Sequence, residues 1–174
     1  MSVRIAPVTY EDGPDLIAAN RDSVEWHQPW VQTFIDRPGF EDWFDRQDEN
    51  NVSLIARSLK TGAVVGIVSL SQIFRRGFQN AYLSYYGSRA MAGRGMMTDA
   101  VRLGVDYAFG ELGLHRVEAN IQPGNDRSVA LIRRLGFRLE GFSPRYLYID
   151  GDWRDHQRWA MLSEDWPQAD GAAL

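Results

Sequence analysis

The sequence contains no cysteine. Disulfide bonds, thiolate metal sites and cysteine nucleophiles are therefore excluded as sources of stability or chemistry. No apolar run approaches the roughly 18 residues of a membrane-spanning helix, and the N-terminus lacks the apolar segment of a secretory signal. We therefore expect a soluble, cytoplasmic protein that makes no contact with membranes.

Histidine is scarce, and the excess of acidic residues is small. His27, His115 and His156 do not stand at the spacings of metal-binding motifs, so we expect no metal. The net charge of −4 opposes a broad phosphate-binding surface, and hence direct contact with nucleic acid. It fits a basic partner better. The sequence leaves the oligomeric state open, a homodimer included.

The length and apolar content fit one domain with one hydrophobic core. The chain has 174 residues, of which 44% are apolar. We assign residues 1–166 to a single domain. Residues 167–174 lack periodicity and are predicted to form a frayed tail.

Hydrophobic patterning predicts an α+β fold. The expected order is a strand, broken helices, three strands, a long helix, a strand, a second helix and a final hairpin. A helix that connects two neighbouring strands implies parallel pairing between them. The result is a mixed, mostly antiparallel sheet of about seven strands flanked by helices. The boundaries are an edge strand at 3–8, helical pieces in 9–50 broken at Pro29 and Pro38-Gly39, strands at 52–57, 63–70 and 81–86, a helix from Met96 to about Gly113, a strand at 116–121, a helix at 125–135 and a hairpin at 139–162.

A glycine loop lies between the third strand of this group and the long helix. Gly93 and Gly95 allow a tight turn that exposes successive backbone N–H groups, and the helix adds its own unpaired N–H groups and its dipole. Together they predict an anion site suited to a pyrophosphate, with Arg94 as a countercharge. A glycine turn with a helix cap is the alternative. The loop matches neither the dinucleotide fingerprint nor the Walker sequence.

Two further motifs carry a family resemblance. Asn125 and Ser128 open a helix as N-x-x-S, and residues 135–141 read L-G-F-x-x-E-G, which resembles the second half of GNAT acetyltransferases. Residues 76–85 and 146–156 are similar to the RimJ/RimL branch of that family, whose RimJ members acetylate the N-terminal alanine of ribosomal proteins. One position departs from the family pattern, since Ala90 stands where Gln or Arg is frequent.

The resemblance implies acetyl-CoA as co-substrate, and it implies the residues that bind it. The pyrophosphate is expected on the glycine loop, the thioester carbonyl against the backbone of strand residues 83–85, and the pantetheine arm beside Asn125. The expected acetyl-CoA-binding residues are Leu83, Ser84, Tyr85, Met91, Ala92, Gly93, Arg94, Gly95, Met96, Asn125 and Ser128.

Direct attack of an amine on the thioester is the mechanism that the residues leave open. Without cysteine there is no acyl-cysteine route, and no G-x-S-x-G elbow supplies a serine nucleophile. The resemblance gives Ser128 the role of proton donor to the leaving thiolate, although a helix cap with a first-turn serine is the alternative. The base is undetermined, because Leu147 stands where relatives use glutamate. Its candidates are Glu25, Glu118, Tyr146 and Tyr148, and Tyr146 is our choice.

The acceptor is expected beneath the early helices. Trp26, His27 and Trp30 are candidates for contacts to the substrate, although the two tryptophans at i, i+4 also fit a core pair. The segment from Asp36 to Glu49 carries six acids against two arginines. This segment either steers a basic protein or is simply solvated. Three functions follow: acetylation of a protein N-terminus, acetylation of a small amine such as a drug, polyamine or amino-acid conjugate, or a degenerate acetyl-CoA-binding or ribosome-assembly role.

Overall fold

The computed structural model describes residues 1–167, so the predicted tail lies outside the described residues apart from its first one. The elements follow the predicted order. The strands are β1 (Val3–Pro7), β2 (Val52–Ser58), β3 (Val64–Phe74), β4 (Asn80–Gly87), β5 (Arg116–Ile121), β6 (Arg138–Ile149) and β7 (Asp152–Leu162). The α-helices are α1 (Gly13–Arg21), α2 (Val24–His27), α3 (Arg37–Phe44), α4 (Met96–Gly110) and α5 (Asp126–Arg134).

The strands form one seven-stranded sheet in the order β1-β2-β3-β4-β5-β7-β6. Every neighbouring pair is antiparallel except β4 and β5. Helix α4 connects these two strands, and a helical crossover returns the chain in the same direction. The predicted α+β fold, with a mostly antiparallel sheet and β1 at its edge, is confirmed.

β4 and β5 pair along only part of their length. The ladder runs from Asn80 opposite Arg116 to Tyr82 opposite Glu118, and it ends there. Both strands continue beyond this point, β4 to Gly87 and β5 to Ile121. A gap therefore opens in the sheet at the carboxyl ends of both strands. Backbone groups of β4 that face this gap are not used in the β4–β5 ladder.

Helix α4 packs one apolar face against the sheet. Ala100, Val101, Gly104, Val105 and Ala108 are all buried, as expected for one face of an amphipathic helix. A Cβ at Gly104 would lie 2.6 Å from the nearest Val68 methyl carbon, so glycine permits close contact between helix and strand. The helix ends at Gly110, about three residues earlier than predicted. The chain then turns toward β5 at Gly113, which has a φ of +60°.

The other face of the sheet is covered by the N-terminal helices. Leu16 of α1 and Phe40 of α3 are fully buried beside Ile67 of β3. The prediction that Pro38 breaks a helix is wrong. Pro38 lies in the first turn of α3, where a missing N–H costs nothing, and the Asp36 carboxylate caps that turn by accepting from Gly39 N at 2.9 Å. Within residues 1–167, no helix is long and apolar enough to cross a membrane.

Candidate active site

A cavity of about 210 Å³ lies at the open end of the gap between β4 and β5. Its walls are the end of β4, the glycine loop, the start of α5 and the segment around α2. The structure thus brings together elements that are far apart in the chain. The predicted site residues that line this cavity are Trp26, His27, Trp30, Tyr85, Met91, Ala92, Gly93, Asn125 and Ser128.

The glycine loop has the backbone conformation that its sequence predicts. Gly93 and Gly95 have φ values of +74° and +73°, in the left-handed region that favours glycine. Gly95 is the N-cap of α4, so the first N–H groups of that helix begin beside it. A Cβ at Gly93 or Gly95 would meet no atom within 4 Å, which leaves this backbone open to a ligand. The geometry fits a bound pyrophosphate.

The remaining loop residues differ in their surroundings. Arg94 is exposed, and its guanidinium lies 3.9 Å from Met91 Sδ. It is thus available as a countercharge next to the loop. Met96 begins α4 and packs partly against the core. Its backbone N–H, rather than its side chain, is the group suited to anion binding.

Asn125 and Ser128 form the N-terminal cap of α5. Asn125 Oδ1 accepts a hydrogen bond from the Ser128 backbone N–H at 3.2 Å, as predicted for a helix cap. The Ser128 hydroxyl is hydrogen-bonded to the Tyr85 hydroxyl, with the two oxygens 2.7 Å apart. Burial raises the pKa of Tyr85 well above its ordinary value, so this phenol stays protonated. The binding and catalytic roles of Asn125 and Ser128 stay predictions.

Successive residues of β4 face different surroundings. The Leu83 side chain is buried in the core beneath α4, so only its backbone can face the gap. Ser84 lines a second cavity of about 230 Å³ together with Trp43 of α3 and Arg46, which lies just beyond the end of that helix. Tyr85 and Tyr86 line both cavities. The two spaces therefore adjoin each other around the end of β4.

Residues 26–32, here called the bridging segment, reach across the gap to the other half of the sheet. The Arg127 guanidinium carbon lies 4.0 Å from the centre of the Trp26 ring system, a cation–π distance. Trp30 lies close to Gly124, where a Cβ would be 3.2 Å from the indole. Gln32 donates a hydrogen bond to Asp150 at 3.1 Å. Trp26 and Trp30 thus contact the opposite wall of the cavity.

His27 is nearly inaccessible, and both of its ring nitrogens are engaged. Nε2 lies 3.0 Å from the Gly87 carbonyl oxygen, and Nδ1 lies 3.2 Å from Thr33 Oγ1. Burial lowers the pKa of His27 and thereby favours the neutral ring, although the hydrogen bond to Gly87 acts in the opposite direction. A neutral ring with Nε2–H donating to Gly87 satisfies both contacts. These contacts favour a bracing role, and direct contact with substrate stays a prediction.

Tyr146 lies outside the lining of both cavities. It stands in an irregular stretch of β6, between the pairs Ser143–His156 and Leu147–Arg154, and its ring centre is 5.9 Å from that of His156. The hydroxyl of Tyr146 raises the pKa of Tyr82, with burial as the second cause. Tyr146 is therefore not among the residues that line the same cavity as Ser128. Its catalytic role stays a prediction that the geometry does not favour.

The other candidate bases are also not among the residues that line the two cavities. Glu118 forms an ion pair with Arg116 at 2.7 Å. Glu25 is exposed, and Tyr148 is an exposed residue packed on Trp153. Among residues 1–167, no three side chains of the metal-binding types are grouped to hold an ion.

Several residues that line the first cavity were missed in the sequence. Arg127 and Leu131 belong to α5, and Leu131 stands at i+3 from Ser128 on the same helical face, so the period of α5 contained a signal for it. Tyr86 follows Tyr85, and alternation along a strand would have placed it on the other face only. At the strand end it lines both cavities, which alternation does not predict.

Residues 2–138 match the family described as Acetyltransferase (GNAT) domain. The chain belongs to the GNAT acetyltransferases. Enzymes of this family use acetyl-CoA, which agrees with the open glycine loop at the start of α4. The chain is therefore an N-acetyltransferase by family, and its acceptor is the open question.

Relatives of this GNAT acetyltransferase include enzymes named for ribosomal proteins. It is 39% identical over 126 residues to the probable N-acetyltransferase YjcK of Bacillus subtilis, covering 72% of this chain and 68% of that protein. It is 38% identical over 103 residues to the [ribosomal protein uS5]-alanine N-acetyltransferase of Escherichia coli, covering 59% of this chain and 53% of that enzyme. The solved structure of Mycobacterium smegmatis RimJ in complex with CoA-disulfide is similar with a TM-score of 0.84 and 27% identity, covering 96% of this chain and 85% of that one.

Proposed function

We propose that this acetyltransferase transfers the acetyl group of acetyl-CoA directly to the N-terminal alanine of a ribosomal or other protein. The observation that carries the proposal is the pair of adjoining cavities around the end of β4, one beside the glycine loop and one beside α3. The first has an open anion-binding backbone, and the second offers separate space for an acceptor. The named activity of the E. coli relative supports the choice of acceptor.

The donor side of the site is formed by backbone more than by side chains. The open N–H groups at Gly93, Gly95 and the start of α4 hold the pyrophosphate. The backbone of β4 beyond Tyr82, free of the β5 ladder, holds the pantetheine arm and the acyl carbonyl. Acetyl-CoA supplies an activated acyl thioester, and Ser128 donates a hydrogen bond toward the sulfur that leaves.

The lining of the acceptor side contains one cation, no carboxylate and several aromatic side chains. Phe34 and Trp43 lie beside Ser69 and Ser84, and the only charged residue in this described lining is Arg46. No carboxylate lines it, so a polycationic amine gains no ion pair there. A terminal residue with a small neutral side chain, such as alanine, fits this chemistry. A small neutral amine is the second candidate, because a cavity of about 230 Å³ also accommodates it.

A panel of acceptors tests the proposal. We expect the wild-type protein to release free CoA thiol from acetyl-CoA in the presence of peptides that begin with alanine. The matched control is the same peptide with a blocked N-terminus and an internal lysine, which should give no turnover. Turnover with spermidine or neutral small amines alone would overturn the protein-acceptor proposal, and no turnover with any amine would overturn the transfer activity itself.

Salt should slow the reaction with a basic protein substrate by screening the acidic segment from Asp36 to Glu49. Gly39, Trp43 and Arg46 face the second cavity, whereas Asp42 and Asp45 are exposed. A basic N-terminal peptide should then show a kcat/KM that falls as ionic strength rises, since exposed charges are screened over about 10 Å at 0.1 M salt. The variant carrying Asp42→Asn, Asp45→Asn and Asp48→Asn should show a shallower salt slope.

The matched control removes three acids near the C-terminal end of α4, the end opposite to the glycine loop. Glu111→Gln, Glu164→Gln and Asp165→Asn change the net charge by the same amount, on exposed side chains. This control should keep the wild-type salt slope. Equal salt slopes in all three proteins would show that Asp42, Asp45 and Asp48 are merely solvated, and a basic acceptor would lose this support.

A further inference from the structure

We infer that Tyr85 is a positioning residue that directs the Ser128 hydroxyl proton toward the leaving sulfur. This inference rests on the proposed function, because it concerns how the thiolate is protonated. It goes beyond the expected backbone contact of Tyr85 with acetyl-CoA. The decisive contact is the one between two hydroxyl groups on opposite sides of the gap, one on β4 and one on α5.

The single phenolic proton of Tyr85 has two acceptors within reach. The Tyr85 oxygen is 2.7 Å from Ser128 Oγ and 3.2 Å from the Ser128 carbonyl oxygen. If Tyr85 donates to the carbonyl, Ser128 donates its own proton back to Tyr85 and has none left for a ligand. If Tyr85 donates to Ser128 Oγ, the serine proton is free to point into the cavity that both residues line.

The second arrangement is the one that the surroundings favour when a sulfur occupies the cavity. The Ser128 carbonyl lies inside α5, where a regular helix pairs it with the N–H four residues later. This carbonyl therefore keeps a partner when Tyr85 turns to the hydroxyl. Ser128 Oγ then accepts from Tyr85 and donates to the sulfur, and both hydroxyl groups are satisfied.

Tyr85 directs the proton without giving up its own. Its burial keeps the phenol neutral, and a buried tyrosinate would be costly. In the transfer, the amine nitrogen forms the bond to the acyl carbon and the electron pair of the carbon–sulfur bond goes to sulfur. Sulfur takes the Ser128 proton, and the serine oxygen regains one from the proton that the amine nitrogen loses. No net proton is left on the enzyme.

Kinetic measurements distinguish this positioning role from a purely structural contact between Tyr85 and Ser128. We expect Tyr85→Phe to lower kcat about 10-fold, the worth of one hydrogen bond at the upper end of its usual range, with little change in the KM for acetyl-CoA. If Tyr85 acts through Ser128, the same change in a Ser128→Ala background should lower kcat no further. The matched control is Tyr107→Phe on α4, which is outside both cavities and should keep wild-type kcat.

A binding measurement provides a readout that needs no acceptor. At alkaline pH we expect the wild-type protein to bind CoA about 10-fold more tightly than desulfo-CoA in calorimetry, because a hydroxyl donates to the thiolate. Tyr85→Phe and Ser128→Ala should both reduce this ratio toward one, and Tyr107→Phe should not.

The outcomes distinguish the inference from the proposed function. If Tyr85→Phe keeps both the wild-type kcat and the wild-type ratio of CoA affinity to desulfo-CoA affinity, the positioning role is overturned while acetyl transfer stands. A further kcat loss in the Ser128→Ala background would also overturn it, since Tyr85 would then act independently. If no amine is acetylated but the preference for CoA over desulfo-CoA depends on the hydroxyls of both Tyr85 and Ser128, the proposed function fails and the hydrogen-bond geometry is upheld.

Discussion

We expect that acetyl-CoA no longer binds when Gly95 is replaced by valine. Two effects act at this position. A φ of +73° costs an L-residue about 1–2 kcal/mol, and the branched side chain would fill the open space above the first N–H groups of α4. Calorimetry should show binding in the wild-type protein and none in Gly95→Val.

The control for backbone strain is Gly113→Val. Gly113 has a φ of +60° and no atom within 4 Å of a Cβ, so valine is strained there too. It lies beyond the other end of α4, a helix about 22 Å long at 1.5 Å per residue. Both variants should lose thermal stability, but Gly113→Val should still bind. Unchanged affinity in folded Gly95→Val, or in the milder Gly95→Ala, would rule out the loop as the pyrophosphate site.

The second large effect is expected at Ser128. Ser128→Ala should lower kcat on the order of 10²-fold, the low end for general acid catalysis, and should raise the KM for acetyl-CoA much less. The reason is that its hydrogen bond to sulfur strengthens as charge develops there. The backbone N–H of residue 128 still donates to Asn125, so the helix cap survives the change. Single-turnover measurement of thiol release isolates the chemical step.

Ser163→Ala serves as the comparison for Ser128→Ala. It removes the same hydroxyl from a residue whose side chain contacts only Glu164 among the contacts described, and which lines neither cavity. Its single-turnover rate should equal that of the wild-type protein. An equal rate in Ser128→Ala would remove this serine from the mechanism.

The sequence predicted the parts of the site that depend on local chain geometry. Gly93 and Gly95 predict a left-handed turn, because other residues rarely adopt that conformation. Asn125 and Ser128 predict a helix cap. Element order predicted the parallel pair β4–β5, because α4 connects the two strands. These features are encoded by neighbouring residues.

The parts that were missed depend on contacts between distant residues. No local pattern shows the shift in register of β6 after Ser143, which places the ring of Tyr146 beside that of His156, and the catalytic role of Tyr146 stays a prediction. Pro38 was interpreted as a helix breaker, although it lies in the first turn of the helix that carries Trp43 to the second cavity. No local pattern shows that His27 has both nitrogens engaged, since its partners are Thr33 and the distant Gly87.

The close contact between Gly104 and Val68 has a consequence for the energetics of cofactor binding. Helix α4 rests directly on β3, so it cannot approach the sheet further, and its buried face resists withdrawal. The N–H groups beside Gly95 begin about two and a half turns earlier on the same rigid body. They are held in their binding arrangement before any ligand arrives. A pyrophosphate bound at the proposed site therefore loses little affinity to ordering this helix, and a larger side chain at position 104 would disturb the proposed site from about 14 Å away along the helix axis.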